Sequence, residues 1–348
     1  MNKLITKSIR IVLGDERYRK LRNWYLFKTY EGPFPQYNSH ANFQPDWDNY
    51  LDSNKIQLGE GEQVSVNYNP PPVVYIVSPT QRSGTNFLSK LLEKHPDLAI
   101  PAGNNLATEQ CLYSYSESLK SYLGKTVTAW NHWNKTNPSL ANEQTKWVMR
   151  YFGEGLLRYL SNFIEQGKTL LLKTPDSNNL PDIFHMIPHA RVVILLRDGR
   201  DTVQSYANSW GGGFGTFGKM CKRWADRAQT ILRFKEKAAR SGYDKQIYEV
   251  YYEQLNSNTS EELKKIFNFL ELDNEKYPWE GVDEVPVLGS STYRGEKEKN
   301  VHWKPISKTE NFNPNKKWLS WSRAKKNIFI RNAGKSLIEL GFEKDNKW

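Results

Sequence analysis

The residues best placed to do chemistry lie in two short turns. The first, Ser78-Pro79-Thr80-Gln81-Arg82-Ser83-Gly84-Thr85-Asn86-Phe87, follows the apolar run Val73–Val77. The second, Arg197-Asp198-Gly199-Arg200-Asp201 with Ser205 eight residues past Arg197, follows the apolar run Val192–Leu196. Each reads as a buried strand, a tight turn and the start of a helix. A helix N-terminus offers unpaired N–H groups and a partial positive charge, and so receives phosphate or sulfate. Gly84 lets the backbone approach an anion with no Cβ in the way. Ser83, Thr85 and Asn86 add short-range polar groups, and Arg82 adds a permanent forked cation. Arg197 and the helix after it would hold a second phosphate. Taken singly, each turn also fits an ordinary connection, or a charge network capping a helix. The pair, in this order, points to a ligand with phosphate at both ends. The first turn is not a Walker A loop, which needs Gly-x-x-x-x-Gly-Lys-Ser/Thr.

The motifs resemble a known family. Arg82–Phe87 resembles the 5′-phosphosulfate loop of sulfotransferases that use 3′-phosphoadenosine-5′-phosphosulfate (PAPS), and Arg197 to Ser205 resembles their 3′-phosphate motif with matching spacing. Three segments support it. Tyr251-Tyr252-Glu253-Gln254-Leu255, with Glu262–Leu272 after it, is similar to the family's Tyr-Glu-Asp-Leu segment and following helix. Tyr293-Arg294-Gly295 with Val301-His302-Trp303-Lys304 is similar to the late region that closes over the cofactor. Leu170-Leu171-Leu172-Lys173-Thr174-Pro175 is similar to the strand bearing a second active-site lysine. The resemblance covers residues 73–320; residues 1–70 and 104–165 have no counterpart in it.

The resemblance implies PAPS as cofactor, with no metal. It implies that Arg82 and Lys173 are the cations at the reacting centre, and that Ser83, Gly84, Thr85 and Asn86 hold the 5′ phosphosulfate. Arg197, Ser205 and Arg294 would hold the 3′ phosphate, with Gly295 giving backbone access. Phe87 and Tyr252 match positions that contact adenine, though each also reads as a core aromatic, as does Trp303. The base departs from one branch: members acting on small molecules carry His after Lys-Thr, where this chain has Pro175 and then Asp176. Lys-Thr-Pro is closer to members acting on glycans or other large acceptors, in which a glutamate a few dozen residues past the loop is the base. Glu109 is the candidate, and His132, Glu154 and Asp176 are its rivals. The expected reaction moves a sulfuryl group from PAPS to a hydroxyl or amine of an acceptor, with a carbohydrate or glycolipid preferred. A small metabolite or a peptide tyrosine is the alternative acceptor. A P-loop kinase and a non-enzymatic polyanion-binding module are the alternatives of other classes.

Such turns need a scaffold. Strand patterns at Val73–Val77, Thr169–Lys173, Arg191–Leu196 and Ile247–Tyr251 alternate with helical patterns at Thr85–Lys94, Asn178–Met186, Arg200–Trp210, Phe217–Arg240 and Ser260–Leu270. Continuous apolar strands between helices predict an α/β fold whose central parallel sheet is flanked by helices, with ligands at the strands' carboxyl ends. The resemblance makes this a P-loop-like sulfotransferase fold with a helical insertion. The insertion is residues 104–165, with Trp130, His132, Trp133, Trp147 and a helix over Glu143–Glu165, and it reads as acceptor-binding. Gly211-Gly212-Gly213 is a lid edge or a plain connector. Residues 316–348 are basic and helical in pattern and are expected to pack on a domain spanning 73–348. Before it, residues 1–72 combine a basic amphipathic helix over 3–28 with an irregular linker over 31–72. That helix either lies on an anionic membrane surface or packs on the domain.

Composition sets limits. The 348 residues carry a net charge of +11, with twelve Trp and nineteen Tyr. The basic excess implies anionic partners, of which the nucleotide is one, and no specific nucleic acid is expected. Cys111 and Cys221 are the only cysteines, which excludes a disulfide framework and a paired-cysteine metal site and fits a reducing compartment. No run reaches the about 18 apolar residues of a transmembrane helix, and no signal-peptide pattern opens the chain. A cytoplasmic protein, peripheral to a membrane if its first helix binds one, is therefore expected.

Overall fold

Five parallel strands carry the two turns. The computed structural model describes residues 46–48, 50–51, 55–57, 63–101, 109–132, 138–210, 214–282, 285 and 314–348. All of them fall in one compact unit, Phe43–Trp348. The predicted N-terminal helix, the triple glycine, Arg294, Gly295 and Trp303 lie outside the described residues.

In chain order the elements are β1 (Lys55–Gln57), β2 (Gln63–Ser65), β3 (Val73–Val77), α1 (Thr85–Glu93), β4 (Leu98–Ala99), α2 (Ser116–His132), α3 (Pro138–Ser161) and β5 (Thr169–Thr174). They continue as α4 (Ile183–Met186), β6 (Arg191–Leu196), α5 (Gly199–Trp210), α6 (Phe214–Arg240), β7 (Ile247–Tyr251), α7 (Tyr252–Ser257), α8 (Thr259–Leu270) and α9 (Arg323–Glu339). The sheet order is β4-β5-β3-β6-β7, and every pairing in it is parallel. The predicted fold class is the observed one.

Strand side chains alternate between faces, and here both faces are buried. Val73, Tyr75 and Val77 join a core with Met149, Leu157, Phe234 and Phe329 from α3, α6 and α9. Val74 and Ile76 join a second core with Phe87, Leu91, Leu263 and Phe267 from α1 and α8. No helix among the described residues is long and apolar enough to cross a membrane.

Three elements differ from expectation. The stretch read as an irregular linker contains the antiparallel hairpin β1–β2, whose Gln57 N–H bonds Glu143 of α3 at 2.9 Å. Lys-Ile-Gln and Gln-Val-Ser hold one apolar residue each, too few to show a period. The insertion holds two helices rather than one. The unexpected one, α2, buries only Leu123 and Val127 among its described apolar residues, and Gly124 and its threonines weaken its intrinsic helical preference. The strand β4 is just two residues long.

Candidate active site

The carboxyl ends of four neighbouring strands meet at the site. Strand β3 delivers the loop Ser78–Gly84, β5 delivers Lys173, β6 delivers Arg197 and β7 delivers Tyr252. Within the loop, the Ser78 and Ser83 hydroxyls both donate to the Thr80 carbonyl, at 3.0 and 2.8 Å. Their protons are thus committed to holding the loop's own backbone. Arg82 has φ 76° and Gly84, the residue before α1, has φ 98°. The left-handed region is costly for a residue with a Cβ, so Arg82 is held there by its surroundings. Its carbonyl accepts from Arg197 Nη1 at 2.8 Å, and its Nε donates to Ser205 Oγ at 3.1 Å. The two turns singled out in the sequence are thus joined directly.

Arg197 is buried. Its Nη2 donates to the Pro314 carbonyl at 2.6 Å, and its guanidinium lies 4.5 Å from the ring centre of Tyr252. Its Nε finds no partner among the described residues. Tyr252 supports the turn from below: a Cβ on Gly84 would stand 2.4 Å from its Cδ2. Phe87 meets it edge to face at 6.4 Å. Phe87 at 2% and Tyr252 at 3% exposure are both buried.

Lys173 is buried at the end of β5, where its Nζ meets Asn86 Oδ1. Burial lowers its pKa, and the nearby Glu109 carboxylate opposes that. The structure therefore brings Glu109 within electrostatic reach of Lys173. It treats the rivals differently. Asp176 forms ion pairs with Arg223 at 2.9 Å and Arg227 at 2.6 Å. Glu154 pairs with Arg158, which also donates to the Asn69 carbonyl. Asn69 precedes β3, so Glu154 sits toward the amino ends of the strands, away from the turns. The His132 side chain lies outside the described residues.

One cation was missed in the sequence. Lys317, in the turn Lys317–Ser320, reaches the two arginines. Burial, then Arg197, then Arg82 push its pKa down to about 8, against the pull of Asp201. Burial and Arg197 likewise bring Arg82 down to about 10. The available signal was the lysine pair Lys316-Lys317 before Trp318, at the far end of the resemblance. Beside the loop lies a cavity of about 220 Å³, lined among others by Gln81, Val203, Tyr206, Met220, Arg223 and Trp224.

The family is defined at this point. The sulfotransferase family model matches residues 72–276, and the chain belongs to that family. Among curated proteins it is similar to a protein-tyrosine sulfotransferase of Drosophila melanogaster, 22% identical over 282 residues, covering 76% of this chain and 52% of that protein. It is also similar to protein-tyrosine sulfotransferase A of Caenorhabditis elegans, 22% identical over 222 residues, covering 61% of this chain and 52% of that protein. The chain thus spans about half the length of the curated relatives it matches. Among solved structures it is similar to the sulfotransferase domain of the Synechococcus PCC 7002 olefin synthase, at TM-score 0.43 and 19% identity, covering 77% of this chain and 95% of that one. It is also similar to mouse sulfotransferase SULT7A1 complexed with PAP, at TM-score 0.40 and 13% identity, covering 79% and 90%.

Proposed function

We propose that this protein is a PAPS-dependent sulfotransferase. The observation that carries the reading is the convergence of Arg82, Arg197 and Lys317 on one spot, where Arg197 lowers the pKa of Arg82 and both arginines lower that of Lys317. Cations gathered in this way favour an anionic ligand. The buried Nε of Arg197, which has no partner among the described residues, is a donor that such an acceptor would satisfy. A nucleotide with phosphate at both ends fits this donor set. When bound, PAPS supplies the sulfuryl group and a phosphate leaving group.

The chain's own groups have separable tasks. Arg197, Ser205 and Lys317 hold the 3′ phosphate. Arg82, Lys173 and the backbone N–H groups opening α1 face the phosphosulfate and meet charge that builds during transfer. Arg82 acts by charge and hydrogen bonding, since a guanidinium does not give up its proton readily. Glu109 takes the proton of the acceptor hydroxyl, because the ion pairs on Asp176 and the placement of Glu154 remove those rivals.

The acceptor we favour is a tyrosine hydroxyl in a polypeptide. Both curated relatives carry that activity in their names, and neither is a carbohydrate sulfotransferase, so the carbohydrate preference drawn from the sequence gains no support.

The test is calorimetric titration with 3′-phosphoadenosine-5′-phosphate, the desulfated product, with ATP and adenosine-5′-phosphosulfate as controls. Binding should require the 3′ phosphate. Arg197→Ala should cost about 1.5–3 kcal/mol, roughly ten- to over a hundredfold in affinity. Indifference to the 3′ phosphate would remove the cofactor assignment. Incubation with PAPS should add a sulfuryl mass to a tyrosine peptide; modification of a glycan alone would return the acceptor to carbohydrate.

A further inference from the structure

Lys317 does not reach the site by local sequence. It is carried there by residues on α5 and on the stretch after α9. The Asp201 carboxylate accepts the backbone N–H groups of Lys316 and Lys317, each at 2.7 Å. Lys316 is left-handed at φ 57°, a conformation that a lysine holds only when its neighbours fix it. One turn along α5, Gln204 accepts from Trp321 Nε1. Between these contacts lies Arg200, buried, with its guanidinium 3.7 Å from the ring centre of Trp318 and 4.5 Å from that of Trp348. Asp198 and Glu343 supply its counter-charges, at 2.6 and 2.7 Å. The two indoles meet edge to face at 5.0 Å. A guanidinium between two aromatic faces is a strong and oriented contact when desolvated.

We propose that Arg200, Trp318 and Trp348 form a clasp that positions Lys317 against Arg82 and Arg197, so that the segment after α9 sets nucleotide affinity without touching the nucleotide. This rests on the reading of Lys317 as a phosphate-binding cation. Trp348 and Glu343 are positioning residues in this scheme, and Lys317 is the group they act through. Among the described residues, the charged groups facing Lys317 include Arg82 from the loop, Arg197 from the end of β6 and Asp201 from α5. Held there, its ammonium loses its proton near pH 8 rather than near its ordinary 10.5. Released into water, it would titrate near the ordinary value.

The experiment measures the affinity of the full chain for 3′-phosphoadenosine-5′-phosphate from pH 7 to 10. The proteins are wild type, Lys317→Ala, Trp348→Ala, Trp348→Phe and the Lys317→Ala/Trp348→Ala double variant. Wild-type affinity should fall as pH rises through about 8, and Lys317→Ala should lack that fall. Trp348→Ala should weaken binding at pH 7 by about tenfold and move the fall toward higher pH, while Trp348→Phe should recover most of both. The double variant should bind no worse than Lys317→Ala. Glu343→Gln, which removes a partner of Arg200 without opening a cavity, should shift the pH limb in the same direction and serves if Trp348→Ala does not fold. An additive double variant, or an unmoved pH limb in both Trp348→Ala and Glu343→Gln, overturns the clasp. Wild-type affinity for Lys317→Ala, with the 3′ phosphate still required, overturns the clasp and leaves the PAPS reading standing. Wild-type protein that does not bind the nucleotide overturns both.

Discussion

Gly84 shows how little freedom the phosphate loop has. Its φ of 98° is open to glycine and costly for other residues, and the Tyr252 ring occupies the space a Cβ would need. Gly84→Ala should therefore lower stability by about 1–3 kcal/mol, from backbone strain and overpacking together. Urea denaturation measures this, and an unchanged midpoint would mean that the ring moves aside freely. The neighbouring Ser83 illustrates a different economy. Its hydroxyl donates to the Thr80 carbonyl and so fixes the backbone that leads into α1.

At the scale of elements, α5 is the hinge of the design. Its first turn sits on α6: a Cβ on Gly199 would lie 2.5 Å from the Trp224 ring. Gly199→Ala should displace the helix start from the indole and cost about 1–3 kcal/mol. Trp224→Leu in the same chain should return part of that loss, and thermal melts of the single and double variants decide it. How much was legible in the sequence follows the same division. The strands β3, β5 and β6 were readable because a sheet buried on both faces demands unbroken apolar runs. The two turns and their meeting were readable because glycine, arginine and hydroxyl residues follow those runs directly. The hairpin β1–β2 was not, because its order comes from α3 rather than from its own pattern. Lys317 was not, because its backbone is held by Asp201 of α5, a contact that no local periodicity records.

For the molecule as a whole, two histidines, His185 and His189, contribute to its sensitivity to acid. Burial lowers the pKa of His185 below its ordinary 6.5, and Asp182 opposes without reversing this; burial does the same to His189 beneath the Pro71 carbonyl. With the folded value below the unfolded one, the unfolded chain binds more protons as pH falls below 6.5. These two groups should leave stability unaffected above that pH and remove it progressively below. Denaturation at pH 7.5 and 5.5 tests this. His185→Phe, which keeps a ring among Trp47, Tyr50 and Phe184, should flatten the decline. A decline of equal slope in the variant would assign it to other groups.

The spread of the cation cluster along the chain also bears on how the protein is made. All five strands of the sheet are complete by Tyr251, whereas Lys317 leaves the ribosome well after them. A nascent chain can therefore finish its sheet before its third cation exists. Because a ligand stabilises only the state that binds it, a nucleotide that needs all three cations acts on the completed chain and lends no help to the growing one.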